Sequence, residues 1–160
     1  MNTNRSKFVG FAMVGLLAAG CSSCGDGNAP QSLVIDHIEI RDYDPEYEAL
    51  EPIQFQEDGL PDFYAEVWLG GGDLPYYTSE VVVEAALPAK IPFESLSFQG
   101  GELDQEVTLR IWEDDSSDPT ISMPDIVGEV SFVPRDLTYG QEDSHRLSSQ
   151  LLVVQVMLQW

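Results

Sequence analysis

Positive charge is what this sequence has least of. Its 160 residues carry 7 Lys+Arg against 28 Asp+Glu, a formal net charge of −21. A phosphate backbone is bound by a basic face that displaces counterions, so nucleic-acid binding is excluded. The same imbalance opposes unaided docking on anionic lipid. Cysteine and histidine number 2 each, which excludes metal cages built from those ligands. Long apolar runs are also missing. The run over residues 8–19 falls short of the ~20 residues that a spanning helix needs. The apolar C-terminal stretch, 151–160, is shorter still and reads as a buried core strand. Neither a G-x-S-x-G elbow, a P-loop nor a zinc signature is present. What remains is enough for one packed domain: 43% hydrophobic and 10% aromatic residues in a chain of single-domain length.

The N-terminus reads as an address. Arg5 and Lys7 precede the apolar run, and small residues then precede Cys21. A positive n-region, short h-region and small-residue cleavage site describe a secretory signal over 1–20. The stretch L-L-A-A-G-C resembles the bacterial lipobox, with Ala18 where Leu is usual. That resemblance implies cleavage before Cys21, a diacylglyceryl thioether on its sulfur, and N-acylation. Several acyl chains make a stable anchor at about 0.8 kcal/mol per buried CH₂. Loss of the leader leaves 5 cations and 28 acids, a net charge of −23. Ser22 and Ser23, with no Asp after the cysteine, resemble the outer-membrane sorting pattern of enteric-type bacteria. The plain alternative is a secreted protein cut near Gly20. Residues 21–32 hold Gly, Ser, Asn, Asp and Pro, the composition of a flexible tether. A lipidated Cys21 cannot pair with Cys24, and no βαβ pattern follows to support redox chemistry in C-S-S-C.

From residue 33 onward, no 3.6-residue period is sustained. Short apolar runs alternate at period 2 and are separated by turn residues, which predicts an all-β, eight-stranded antiparallel β-sandwich over 33–160. Strand one spans 33–41, with Val34, Ile38 and Ile40 in phase. Strand two spans 62–69, with Phe63, Ala65, Val67 and Leu69 in phase. A third covers 76–84, a fourth 93–98, and a fifth carries Val107, Leu109 and Ile111 opposite Glu106, Thr108 and Arg110. The sixth spans 126–133, with Ile126, Val130 and Phe132 on one face; a short seventh lies near 143–148. In the eighth, Leu152, Val154, Val156, Leu158 and Trp160 line one side. An acidic loop, 42–58, separates the first two strands. Trp68, Trp112 and Trp160 read as core or strand-rim aromatics, and a carbohydrate platform would require them exposed together.

Three stretches resemble the C2 domain, the calcium- and phospholipid-binding β-sandwich family. D-G-L-P-D-F-Y-A-E-V at 58–67 is similar to the family's N-G-x-S-D-P-Y-V-x-V. A-K-I-P-F-E-S-L-S-F at 89–98 is similar to N-P-x-W-N-E-x-F-x-F. L-R-I-W-E-D-D followed by P-D-I-V-G-E-V, within 109–130, is similar to L-x-V-x-D-x-D followed by D-D-x-I-G. The resemblance implies calcium ligands at one end of the sandwich. Asp62 matches the loop-one aspartate, Glu113 and Asp115 the D-x-D pair, and Asp125 the aspartate before I-x-G. Gln56 stands where the family has an acid; Asp58, or Asp42 and Asp44, are the available replacements. Glu113 in place of Asp is a second departure.

The residues support a cation site without the family. Glu113 and Asp115 lie two apart on a strand and continue the phase of Ile111, so an apolar face turns acidic at its end. If Asp62 and Asp125 reach the same rim, each like-charge pair near 4 Å costs about 4 kcal/mol at an effective dielectric near 20. No Lys or Arg lies within 58–67 or 111–130 to offset that repulsion. The site must spread its charges, take up a proton or bind a cation. Oxygen-only ligands in irregular loops favour Ca²⁺ over Mg²⁺. The competing account is an acidic surface that clusters carboxylates by abundance alone.

These readings combine into a membrane-anchored lipoprotein of the cell envelope, outer membrane favoured, with a calcium-binding interaction module. Its alternative is a calcium-independent structural or protein-interaction domain with a degenerate site. Direct calcium-dependent lipid docking would draw on apolar residues such as Ile121 and Met123. Lys90 and Arg110 stand alone, so no basic patch supports it. Catalysis is not expected. His145 has Asp143 and Ser144 beside it in sequence, and sequence neighbours cannot form a triad, which needs convergence in space.

Overall fold

Alternation of apolar and polar residues lets one face of each strand be buried, and two such sheets bury their faces against each other. The computed structural model describes residues 30–44, 60–114 and 124–160. Eight strands form two four-stranded sheets: β1 (Ser32–Tyr43), β2 (Phe63–Leu69), β3 (Tyr77–Thr78), β4 (Ala89–Gln99), β5 (Val107–Glu113), β6 (Asp125–Phe132), β7 (Ser144–Ser148) and β8 (Leu152–Gln159). One sheet has the order β4-β1-β8-β7 and the other β3-β2-β5-β6, and all pairings are antiparallel. The only described α-helical segment, α1 (Pro134–Leu137), follows β6. The bidentate Arg135–Asp104 ion pair ties it to the 3₁₀ turn Gly100–Asp104.

The core is aliphatic and aromatic. Ile40, Phe63, Ile91, Phe98, Ile111, Val154 and Val156 are each fully buried. Each such side chain contributes about 1.5–3 kcal/mol relative to exposure. Pro92 is accommodated because β4 is an edge strand, where one row of N–H groups has no ladder to join.

Bulges correct the period-2 expectation at three strands. In β1 the register slips between Ile35 and His37, so Leu33 and Ile35 point inward and Val34 does not. β4 accommodates the slip at Ser95, whose φ is 67°. In β6 the register slips opposite Ile111 and Trp112, leaving Val127 as the extra residue. Val127 is buried while Ile126 is 48% exposed, the reverse of the expected phase.

The predicted third strand, 76–84, is reduced to Tyr77–Thr78 and an isolated bridge from Val82 to Phe63. The segment still follows β2, but extra residues break the ladder. Ser79 N–H donates to the Ala65 carbonyl, and the Ala65 N–H is taken by the Ser79 hydroxyl at 2.9 Å in place of a backbone carbonyl. Trp160 is 50% exposed and does not line the core.

Candidate functional site

One end of the sandwich collects acids from several elements. The C-terminal end of β1 brings Asp42 and Asp44, the N-terminal end of β2 follows Asp62, β5 ends at Glu113, and β6 begins at Asp125. The register pairs Phe63 with Glu113 and Glu113 with Asp125. Residues opposed in this way share a face, with Cβ atoms about 5 Å apart. The Asp62 carbonyl accepts the Asp114 N–H at 2.8 Å, which fixes the start of β2 against the end of β5. Glu113 and Asp125 therefore share a face at this rim, and Asp62 stands at the same end of the sandwich.

Each arrives there for a local reason. Glu113 continues the inward phase of Val107, Leu109 and Ile111 and is only 2% exposed. The Val127 bulge turns Asp125 to the face of Glu113; without the extra residue it would point outward with Trp112. The Asp62 carboxylate accepts the backbone N–H of Glu84 at 2.7 Å, holding a residue with φ of 49°. Part of the Asp62 hydrogen-bonding capacity is thus committed to the 80–85 segment.

Tyr43 is a rim residue that sequence reasoning missed. Its ring meets Phe63 edge-on at 5.6 Å. Burial raises the pKa of its hydroxyl above the ordinary tyrosine value, and the negative charge of Glu113 raises it further. A shallow cavity of about 310 Å³ lies at the same end, between Asp42–Asp44 and the 149–153 turn, and the Asp44 N–H closes on the Leu151 carbonyl at 2.9 Å.

Asp58 and Asp115 lie outside the described residues, as do Gln56, Ile121, Met123 and Cys21. Among the described residues, no three His, Cys, Asp or Glu side chains converge closely enough to hold a metal ion. The rim is an incomplete donor set by itself: hard carboxylate oxygens of the right kind, gathered at one end but not in a closed cage.

The tryptophans stand apart from both the rim and the core. Trp68 and Trp112 are half-buried on the outer face of the β3-β2-β5-β6 sheet, joined through Glu66. Their phase was legible, since each alternates with core residues of its own strand. His37 bonds Asp36, whose carboxyl is held below its ordinary pKa by that hydrogen bond. His145 faces inward across from Val156 on the edge strand β7.

No family model matches the chain, and no curated protein matches it. Solved structures do. Human GIVD cytosolic phospholipase A2 in complex with methyl gamma-linolenyl fluorophosphonate superposes with a TM-score of 0.52 at 15% identity, over 79% of this chain and 16% of that one. A second form of the same enzyme, with the inhibitor and terbium chloride, gives 0.51 at 15% identity over 79% of this chain and 17% of that one. A C2 domain gives 0.48 at 14% identity, with 79% of this chain and 95% of that domain covered. The chain thus spans about a sixth of the phospholipase. The fold is a C2-like β-sandwich.

Proposed function

We propose that this protein is a lipid-anchored envelope protein whose C2-like domain binds calcium at the acidic rim and uses the bound ion to recognise a partner. The observation that carries the reading is Glu113: a carboxylate buried at the end of an apolar strand, in register with Asp125 and one backbone hydrogen bond from the Asp62 position. Asp58 and Asp115 are the further ligands this reading requires. Calcium supplies the positive charge that the rim lacks and draws the acidic loops together. Leu60 and Val83, 50% and 66% exposed, flank Asp62 and the Glu84 that it holds, which favours a partner with an apolar surface, a bilayer among them. Cys21 provides the anchor, so calcium serves recognition and not retention at the membrane.

A calcium-independent interaction domain is the second reading. It is favoured by the open donor set among the described residues and by the commitment of Asp62 to Glu84.

Thermal unfolding of the full chain in EGTA and across a calcium titration, with magnesium as control, separates the two. A ligand that binds only the folded state adds about 2.7 kcal/mol at a hundredfold excess over Kd. A calcium-specific rise in midpoint, lost in Asp62→Asn and Asp115→Asn, is expected. An unchanged midpoint to millimolar calcium leaves the second reading standing. Terbium, present in one structure of the phospholipase, 17% of whose chain superposes on this one, is a suitable luminescent substitute, with Tyr43 on the Glu113 rim as the candidate sensitiser. The anchor is tested separately: Cys21→Ser moves the protein from the membrane to the soluble fraction of a bacterial host.

A further inference from the structure

The outer face of the β3-β2-β5-β6 sheet carries an ordered arrangement that a merely solvated face does not require. Tyr64, Trp112 and Ile126 are in register across β2, β5 and β6. The Tyr64 and Trp112 rings lie within 11° of parallel, with centroids 6.4 Å apart, and Ile126 extends the strip at 48% exposure. Two residues further along β2 and β5, about 7 Å away, and three along β6 because of the Val127 bulge, Glu66, Arg110 and Glu129 form a parallel row of charge. The polar row holds the aromatics. Glu66 Oε2 accepts the Trp112 indole N–H at 3.0 Å and the Trp68 indole N–H at 3.1 Å. Arg110 donates to Glu129 Oε2 at 3.1 Å, and its guanidinium lies 4.8 Å from the Trp68 ring centroid.

The half-buried indoles are held by hydrogen bonds to Glu66, and Tyr64 stacks on Trp112, which is preorganisation outside the core. An apolar strip beside fixed donors and acceptors is complementary to a pyranose ring. The C–H face of the sugar packs on Tyr64, Trp112 and Ile126, and its hydroxyls reach toward Glu66 and Arg110. Both indoles bond the same oxygen of Glu66, so Oε1 is the atom left for a ligand hydroxyl.

Charge selects among ring-bearing ligands. The polar row holds two carboxylates and one guanidinium in a chain of net charge −21, which repels phosphorylated, sulfated or nucleotide ligands. A quaternary ammonium needs a free aromatic face and an unengaged carboxylate, whereas Arg110 covers the Trp68 ring and Glu66 and Glu129 already accept from the indoles and Arg110. A neutral sugar needs no charge partner. We infer that this face binds neutral oligosaccharides of hexose or N-acetylhexosamine, a function separate from the calcium rim.

The test is a tryptophan-fluorescence titration of the full-length protein, in a zwitterionic sugar-free detergent, with cellohexaose and with chitohexaose. A heparin hexasaccharide is the anionic control. Saturable binding of a neutral hexasaccharide, weakened about tenfold or more by Trp112→Ala and by Tyr64→Ala, is the expected result; tenfold corresponds to about 1.4 kcal/mol. Lys90→Ala, on the opposite sheet, leaves it unchanged. Should Trp112→Ala lose its cooperative melt, Glu66→Gln and Tyr64→Ala carry the test. No saturable binding of either neutral probe to millimolar concentration would overturn the inference. So would heparin bound as tightly as the neutral probes, or a wild-type dimer that Tyr64→Ala dissociates, since the face would then join two copies of this chain.

Discussion

Replacing Glu113 by Gln tests the rim electrostatics directly, because shape is kept while one charge is removed. Glu113 is 2% exposed and opposes Asp125 across the β5–β6 ladder. Their Cβ atoms stand about 5 Å apart, and two unit charges at that spacing repel by about 3 kcal/mol at an effective dielectric near 20. Asp125 is half-exposed, so solvent and salt remove part of that. A net gain of about 1–2 kcal/mol is expected for Glu113→Gln in EGTA at low salt, a rise in Tm of about 3–8 °C for a domain of this size. In calcium the order reverses. The wild-type protein gains about 2.7 kcal/mol at a hundredfold excess, while the variant, short of one buried ligand, gains little and melts below it. The assay is a set of calorimetric melts in EGTA and in calcium, each at low and at high salt. A variant less stable than wild type in EGTA would refute the reasoning, by showing that the bonds holding the carboxylate outweigh its repulsion. A variant that kept the full calcium increment would remove Glu113 from the ligand set.

Gly128→Ala is expected to destabilise by about 1–3 kcal/mol through overpacking, since a Cβ there would stand 2.9 Å from the Leu152 Cβ on the facing sheet; denaturant midpoints measure it. Asp104 is held below its ordinary pKa chiefly by its hydrogen bond to Arg135. A depressed folded-state pKa stabilises above the unfolded value near 3.9 and is lost as pH falls through the folded value; Asp104→Asn should therefore flatten the acid limb by a small loss of stability at neutral pH, with variant and wild type converging in strong acid. Tyr43 has its pKa raised by burial and then by Glu113. Its difference titration at the tyrosinate absorbance, wild type against Tyr43→Phe, should move toward the ordinary value in Glu113→Gln and stop short of it, because burial remains.

The sandwich was legible because most strands obey a single rule. In β2, β5 and β8, inward residues alternate without interruption, and the expected apolar sets of β2 and β5 are the ones that pack inward. Failures fall where the rule breaks inside a strand. Val34 and Ile126 were assigned inward by unbroken alternation, and a bulge in each strand turned them out. A one-residue insertion leaves no compositional mark; Val127 beside Ile126 is as apolar as a regular run would be. The third strand failed for a related reason: its Tyr, Thr and Val content suits a ladder, but the path along β2 has more residues than ladder positions. The tryptophans read as core or strand-rim aromatics, and alternation against Val67 and Ile111 decides between the two: Trp68 and Trp112 lie half-buried on the outer face. At the rim, the sequence pattern located Asp62, Glu113 and Asp125, but Tyr43 reaches that end only through the folding of β1 beside β8.

The β6 bulge links the two proposed functions. Leu109 opposes Val130 and Ile111 opposes Gly128, so uninterrupted pairing would carry Ile126 inward and Asp125 outward. Val127 takes the inward place instead, at 3% exposure, and the phase beyond it inverts. Asp125 then joins Glu113 at the rim, and Ile126 completes the outer strip with Trp112 and Tyr64. Only a residue apolar enough to be buried can occupy that inward place without leaving a cavity. Its burial offsets the ladder hydrogen bonding lost at the bulge, about 1–2 kcal/mol for each. The local geometry is therefore held by core packing, and the surface chemistry on both sides of the sheet follows from it. A single inserted residue sets which carboxylates meet at the rim and which apolar side chain faces solvent, a reason for the rim and the strip to be gained or lost together.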